Sequence, residues 1–391
     1  MYIKNRIISL LSITCFSLLI LSCHVNEAYA LFGFGSSKKK ISYPFPTDAK
    51  SFKNKALEVF QENKSSNLEE FKILIPNDWV KEDILKSIKS FKTFGTLNKD
   101  LVSEIVRYKS PFIRGDRATL VIKKAQLFHE ISAKYWLERY MNLHNYLPLS
   151  KTIEKSNKEA LASFTYIDQS GFSKKTKVRA IINGNIIMLV EFNVPADFEK
   201  SMAFLQDTVL DNFILINKVD DSIEKTQIIN MSGAVDIKYP ASWNIYKLDT
   251  NNLNNMVLQI HNLKEEESSS ETSTINGLIE IATIKRSDNT NLSRELKLLK
   301  SRLEDSMEVH FDEVKELRQI YSDKRFLFSR YESYTAKRND DSKINKEIHV
   351  AILGDEDWYI IAFLYTPMKS EDSYNWARNV QSFTSIVEGV F

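Results

Sequence analysis

The sequence predicts an α+β protein made of two similar units, each a mostly antiparallel sheet with one long crossover helix and one C-terminal helix. Three observations carry this prediction. Apolar and polar residues alternate in short runs such as FKILIP (71–76) and VDIKYP (235–240), the period of a half-buried strand. Amphipathic runs of helical period separate groups of these strands. The same order of elements then recurs within 391 residues, a length at which one core rarely keeps growing.

The elements follow in chain order. MYIKNR and the charge-free, mostly apolar run Ile7 to Ser22 have the form of a secretory signal, too short for a membrane-spanning helix. Residues 1–30 are therefore expected to direct export, with two exits. Ile20-Leu21-Ser22-Cys23 is similar to a bacterial lipoprotein box, with Cys23 the lipidation site. Ala28-Tyr29-Ala30 is an A-x-A cleavage site that leaves Leu31 first. Residues 31–50, rich in Gly, Ser, Lys and Pro, read as a linker.

The first unit is placed at 51–216. It opens with a helix over 51–63 and the strand FKILI, then a helix over 81–91 and strands at 102–108 and 118–127. SAKYWLERYMNLHNYL (132–147) has helical spacing, 160–167 is a strand, and 178–195 is a hairpin turning at Asn183-Gly184. A helix over 196–213 closes the unit. Residues 217–230 read as a linker, and the second unit runs from 231 to 391. There VDIKYP is followed by strands at 256–263 and 277–285 and a long helix over 291–311. Strands at 325–335 and 347–367, the latter turning at Gly354 to Asp357, lead to a final helix over 370–389.

The anchors of the two units align. Pro76 and Pro240 are 164 residues apart, as are Trp79 and Trp243, while the strand-ending Pro195 and Pro367 are 172 apart. With 8 prolines and 5 tryptophans, chance placement gives about 0.1 P-x-x-W pairs in this chain. Each anchor reads as structural: proline, lacking an amide donor, favours a strand end, and the tryptophan beyond it caps the sheet.

Composition narrows the chemistry. Lys plus Arg number 53 against 51 Asp plus Glu, so there is no basic footprint for nucleic acid. Glycine is scarce, and the only two cysteines, Cys15 and Cys23, precede the body, which excludes thiolate metal sites and cysteine nucleophiles there. The histidines form no metal pair at ligand spacing, and no nucleophile-elbow or penicillin-binding motif occurs. Gly354-Asp355-Glu356-Asp357 lacks the spacing of a Ca²⁺ loop and reads as a solvated hairpin tip. Trp358 and Tyr359 fall on opposite faces of a strand, so one of them is a candidate binding aromatic.

This order of elements resembles the PsbP-like fold, shared by a photosystem II subunit, a Ran-binding import factor and bacterial envelope lipoproteins. The resemblance rests on strand-P-x-x-W at the start of each unit, the long middle helix, and a hairpin running into Pro195 or Pro367 and a terminal helix. It covers residues 65 to 391 and implies an α/β/α sandwich in each unit, used mainly for binding or assembly and generally not as an enzyme. The tandem duplication departs from the single-domain members, no family-specific functional residue carries over, and no cofactor or metal is expected. The expected function is that of an exported Gram-negative envelope protein, periplasmic or lipid-anchored to the outer membrane. It would bind another envelope protein or complex near 217–227, and no nucleic acid. The alternatives are an exported hydrolase acting on envelope material and a carrier of a small apolar ligand.

Overall fold

Two large antiparallel sheets, one from each half of the chain, carry the architecture. The computed structural model describes residues 46, 48–62, 66–82, 102–113, 115–231, 235–252, 255–263, 275–318, 326–338 and 346–390, all within one compact unit, Pro46–Phe391. The predicted signal, Cys23 and most of the predicted 81–91 helix lie outside the described residues.

The first half begins with α1 (Ala49–Lys55), whose Asp48 cap accepts from the Ser51 amide at 2.9 Å. Strands β1 (Ala56–Gln61) and β2 (Phe71–Pro76) follow, then β3 (Val80–Glu82), β4 (Ser103–Lys109) and β5 (Thr119–Gln126). Helix α2 (Ala133–Leu143) leads to β6 (Leu147–Pro148), β7 (Ile153–Ser156), β8 (Glu159–Ile167), β9 (Ser173–Asn183) and β10 (Ile186–Pro195). Helix α3 (Glu199–Asp211) and β11 (Ile214–Leu215) complete it. The large sheet has the order β3-β4-β5-β10-β9-β8-β6, with β7 also on β8, and the small sheet is β1-β2-β11.

The second half contains β12 (Thr226–Met231), β13 (Val235–Pro240), β14 (Asn244–Asn252), β15 (Asn255–Leu263), β16 (Ile275–Lys285), α4 (Leu292–Met307) and β17 (Val309–Arg318). Then come β18 (Phe328–Arg338), β19 (Lys346–Gly354), β20 (Trp358–Pro367) and α5 (Ser373–Glu388). Its large sheet runs β14-β15-β16-β20-β19-β18-β17, and β12 pairs with β13. The protein is thus α+β, and its strand pairings are antiparallel throughout the described residues.

Strand alternation decides which helix each residue meets. In the second half Ile279, Ile281, Ala351 and Leu353 pack with Phe383 of α5, while Leu278, Ala282, Val350 and Ile352 pack with Leu299 and Leu303 of α4. In the first half Ala125, Leu189, Ala180 and Ala162 pack with Trp136, Leu137 and Tyr140 of α2. The same cluster includes Tyr374 and Ala377 of α5, so α2 is wedged between the first sheet and the last helix.

Several boundaries differ from the sequence reading. The predicted 51–63 helix ends at Lys55, and Ala56–Gln61 is a strand paired with β2 from Ala56↔Pro76 to Gln61↔Phe71. Val59 and Phe60 suit a pleated surface, and an available partner overrides the weaker helix preference. The predicted 291–311 helix stops at Met307 because Glu308 adopts a left-handed conformation (φ 52°, ψ 45°), after which Val309, His310 and Phe311 pair with β18. The last residues of the predicted 217–230 linker are strand β12. At the β9–β10 turn, Asn183 pairs with Ile186, so the central residues are Gly184 and Asn185. Only Gly184 has positive φ (57°), the pattern of a type II′ turn.

Candidate functional site

The two Pro-x-x-Trp segments adopt the same hydrogen-bonded turn. The Trp79 amide donates to Pro76 O at 3.1 Å and the Trp243 amide to Pro240 O at 3.0 Å. The residue after each proline also bonds back to the start of its hairpin: Asn77 to Lys55 O and Ala241 to Lys225 O, both at 2.8 Å. Trp79 packs on Phe192 at 5.2 Å, and Trp243, 1% exposed, donates its indole N–H to Ser382 Oγ at 3.1 Å. Pro195 ends β10 opposite Lys174, and Pro367 ends β20 opposite Lys346. Each partner is again displaced by 172 residues. All six anchor residues thus occupy strand ends or core positions.

Trp358 and Tyr359 are both half-buried, and Tyr359 lies beneath the Arg286 guanidinium. In the Gly354–Asp357 tip, Asp355 Oδ1 accepts from the Asp357 and Trp358 amides at 2.8 and 2.6 Å, an Asx-type turn. No group of three His, Cys, Asp or Glu side chains among the described residues is placed to hold a metal ion. A cavity of about 440 Å³ beside the start of α4 is lined mainly by polar groups, among them Asn255, Lys285, Arg286, Ser287 and Glu295, which does not suit an apolar ligand.

The ionisable groups that sequence reasoning missed lie under the middle helices. In the first half Lys123 Nζ of β5 is 2.7 Å from Glu191 Oε2 of β10 and donates to the Tyr140 hydroxyl of α2 at 2.9 Å. Tyr140 donates to Glu191 Oε1 at 2.7 Å. In the second half Lys300 of α4 donates to Glu332 Oε2 at 3.1 Å and to the Tyr334 hydroxyl at 2.6 Å, and Tyr334 donates to Glu332. Arg302 and Gln259 bind Glu280 nearby. Each half therefore ties its middle helix to its sheet through a lysine, a tyrosine and a buried glutamate.

Electrostatics fixes the protonation states of these clusters. Burial, then the Glu191 charge, pushes the Tyr140 phenol well above its ordinary range. Burial alone would lower Lys123, but the Glu191 carboxylate outweighs it and the amine is held more firmly cationic. Burial would raise Glu332, but Tyr334, Lys300 and Arg330 outweigh it and its pKa falls. Tyr334 is raised by burial and by Glu332. A lysine nucleophile, a tyrosine base or a glutamic general acid each needs the opposite shift. The bonds within each cluster tie the middle helix to its sheet.

The segment joining the halves is pinned down. Asn183 donates to Leu68 O and Asn217 O at 2.9 and 2.8 Å and accepts from the Val219 amide at 2.7 Å. Asp220 pairs with Lys158 at 2.6 Å. Glu130 accepts from the Ile223 amide at 2.6 Å, while Glu224 accepts from the Glu130 amide at 3.2 Å. Burial is the main reason the Glu130 carboxyl titrates above its ordinary value. Across the same seam His129 lies 2.6 Å from the Tyr374 hydroxyl and Tyr135 packs on Trp376 with ring centres 5.9 Å apart, while within the second half Trp376 donates to Glu347 at 3.0 Å. Glu347 Oε1 is 2.9 Å from His349 Nε2, whose Nδ1 meets the Tyr331 hydroxyl.

Large apolar side chains remain outside on the small sheet. Phe60 stands opposite Lys72, and Lys72 opposite Ile214, so the three share one face. Phe60 is 56% exposed, Ile214 43% and Ile216 38%, with Glu58 4.0 Å from Lys72.

No family model and no curated relative matches the chain. Solved structures similar to it include cyanobacterial PsbP (CyanoP) from Synechocystis sp. PCC 6803, at TM-score 0.29 and 11% identity over 40% of this chain and 92% of that one. The Saccharomyces cerevisiae Ran-binding protein Mog1p gives 0.30 and 13% over 43% and 95%. The immunity protein TplEi of the T6SS from Pseudomonas aeruginosa gives 0.21 and 8% over 82% and 94%. Likeness at this level says nothing of activity or partner.

Proposed function

We propose that the chain is an exported envelope protein that binds and helps assemble another envelope protein or complex without catalysing a reaction. The observation that carries this reading is the exposed row of Phe60, Ile214 and Ile216 with the Lys72–Glu58 pair set within it, an apolar and charged mixture of the kind protein interfaces use. Lys123, Tyr140, Glu332 and Tyr334 are taken up by bonds to one another beneath the middle helices, which favours this over a hydrolase built on them. The polar lining of the cavity near α4 speaks against a carrier of apolar ligands.

The finer architecture belongs to the same proposal: two PsbP-like α/β/α sandwich domains, 51–216 and 231–391, joined by 217–230. The matching turn bonds at Trp79 and Trp243 and the equal strand orders support a tandem pair. Residues 1–30 would direct export, and lipidation at Cys23 would tether the protein to the outer membrane on its periplasmic side. No helix among the described residues is long and apolar enough to cross a membrane.

Amine-directed cross-linking in native envelopes, read by mass spectrometry, tests the reading, because Lys72 sits within the row. A reproducible partner joined through Lys72, and lost in Phe60→Asp/Ile214→Asp without loss of folding, supports it. A chain that yields no reproducible partner sinks it. The same spectra report whether the mature chain begins at acylated Cys23 or at Leu31.

A further inference from the structure

We infer that the free edge of the first large sheet, at β6–β7, is a contact site for an anionic lipid surface. Leu147 stands opposite Thr165, the Leu149 amide bonds Ser163 O at 2.8 Å, and Ile153 stands opposite Leu161. Those three β8 positions alternate by two, so Leu147, Leu149 and Ile153 project from one face, and Ile167 further along β8 shares it. Ile167 is 74% exposed, Leu147 66%, Ile153 55% and Leu149 42%. The row spans about 20 Å at ~3.3 Å per residue along β8.

Three features commit the edge to lipid. The first is charge. Lys151 and Lys155, interleaved with the aliphatic residues, are exposed and have no ion pair among the described residues. Glu154, the one acid between Leu143 and Lys155, lies 3.6 Å from Lys134. Asp168, next to Ile167, lies 3.5 Å from Lys174. Apolar side chains with unpaired lysines beside them complement acyl chains and anionic headgroups. The second is area: four part-exposed aliphatic side chains offer a few hundred Å², well short of the roughly 800 Å² per partner of a stable protein interface. The third is backbone: Pro148 has no amide, and β6 and β7 are separate short pieces, so an added peptide strand finds no continuous edge. The inference is independent of the partner proposed for the small-sheet face.

The test places an environment-sensitive fluorophore on Leu149→Cys in the full chain carrying Cys15→Ser and Cys23→Ser, with a second label on Ser201→Cys of α3 as control. Vesicles of phosphatidylcholine, alone or with one-third phosphatidylglycerol, are titrated in. The expected result is a blue shift at position 149 on the anionic vesicles and none at 201. Lys151→Gln/Lys155→Gln should weaken that response about 25-fold, since each lysine near such a surface contributes about fivefold in partitioning. The Gln variants keep the fold, because both lysines are exposed. A label at 149 that stays in water while the chain is vesicle-bound overturns the proposal. A shift that follows protein concentration without lipid assigns the edge to a second copy and overturns it equally.

Discussion

Trp243→Ala tests whether the Pro-x-x-Trp joint is structural. The indole packs among Ile237, Ile260, Leu364 and Phe383 and is 1% exposed. Burying a ring of this size removes roughly 200–250 Å² from water, worth about 5–6 kcal/mol at ~25 cal/mol per Å². That figure is an upper bound, because the unfolded chain already hides part of the ring, and core Trp→Ala changes cost about 3–5 kcal/mol. Ser382, fully buried, also loses the indole donor it accepts from, adding about 1 kcal/mol. The expected loss is therefore about 4–6 kcal/mol, read from urea unfolding followed by circular dichroism. Trp243→Phe keeps most of the apolar area and should cost about 1–3 kcal/mol, for the smaller ring and the lost hydrogen bond. If Trp243→Ala stayed within about 1 kcal/mol of the parent while losing its cross-linked partner, the tryptophan would be a binding residue and the structural reasoning would be refuted.

The other predictions concern the buried charges. Lys123→Met strips Glu191 of its cation and should cost about 3–5 kcal/mol, whereas Lys123→Met/Glu191→Leu should regain most of it; a double variant no better than the single one would show that the pair is not coupled. Glu332 has a folded pKa below its ordinary 4.5, so its stabilisation is complete above about pH 4.5 and is lost as pH falls through the folded value. Glu332→Gln should accordingly flatten the fall of Tm below pH 4.5, and an unchanged acid limb would contradict the assignment.

What the sequence disclosed follows its periodicity. Runs such as FKILIP and VDIKYP announce themselves because one face is buried, and Pro76 and Pro240 end them for reasons of backbone chemistry. Strands β1 and β17 were hidden because Ala56–Gln61 and Val309–Arg318 follow helices without a Gly or Pro break, and only the partner strand decides their state. The Lys123–Glu191–Tyr140 cluster was illegible for a different reason. Its members are separated by up to 68 residues, and nothing local announces that a charge will find its mate. One signal was available: Glu191 interrupts the apolar run IIMLVEFNV, and a carboxylate there must have a cation. Asn183 was legible as a turn residue but does other work, clamping the segment between the halves.

The contrast between repeated and unrepeated bonds bears on what the clusters do. The backbone bonds at the joints recur at equivalent places in both halves, Asn77 to Lys55 O and Ala241 to Lys225 O. The Lys–Tyr–Glu clusters recur in composition but not in position. In the first half strands supply the lysine and the glutamate and the helix the tyrosine, whereas in the second the helix supplies the lysine. A catalytic constellation depends on particular atoms at particular places, since a misplacement of about 1 Å costs about 10²-fold in rate. A tie between helix and sheet needs only a satisfied cation, a hydroxyl and a carboxylate somewhere beneath the helix. Interchangeable positions are what the second requirement permits and the first forbids. The buried charges tie helix to sheet, and the apolar side chains left outside, Phe60 and Ile214 on the small sheet and Leu147 to Ile153 along the open edge, are where the proposed contacts would form.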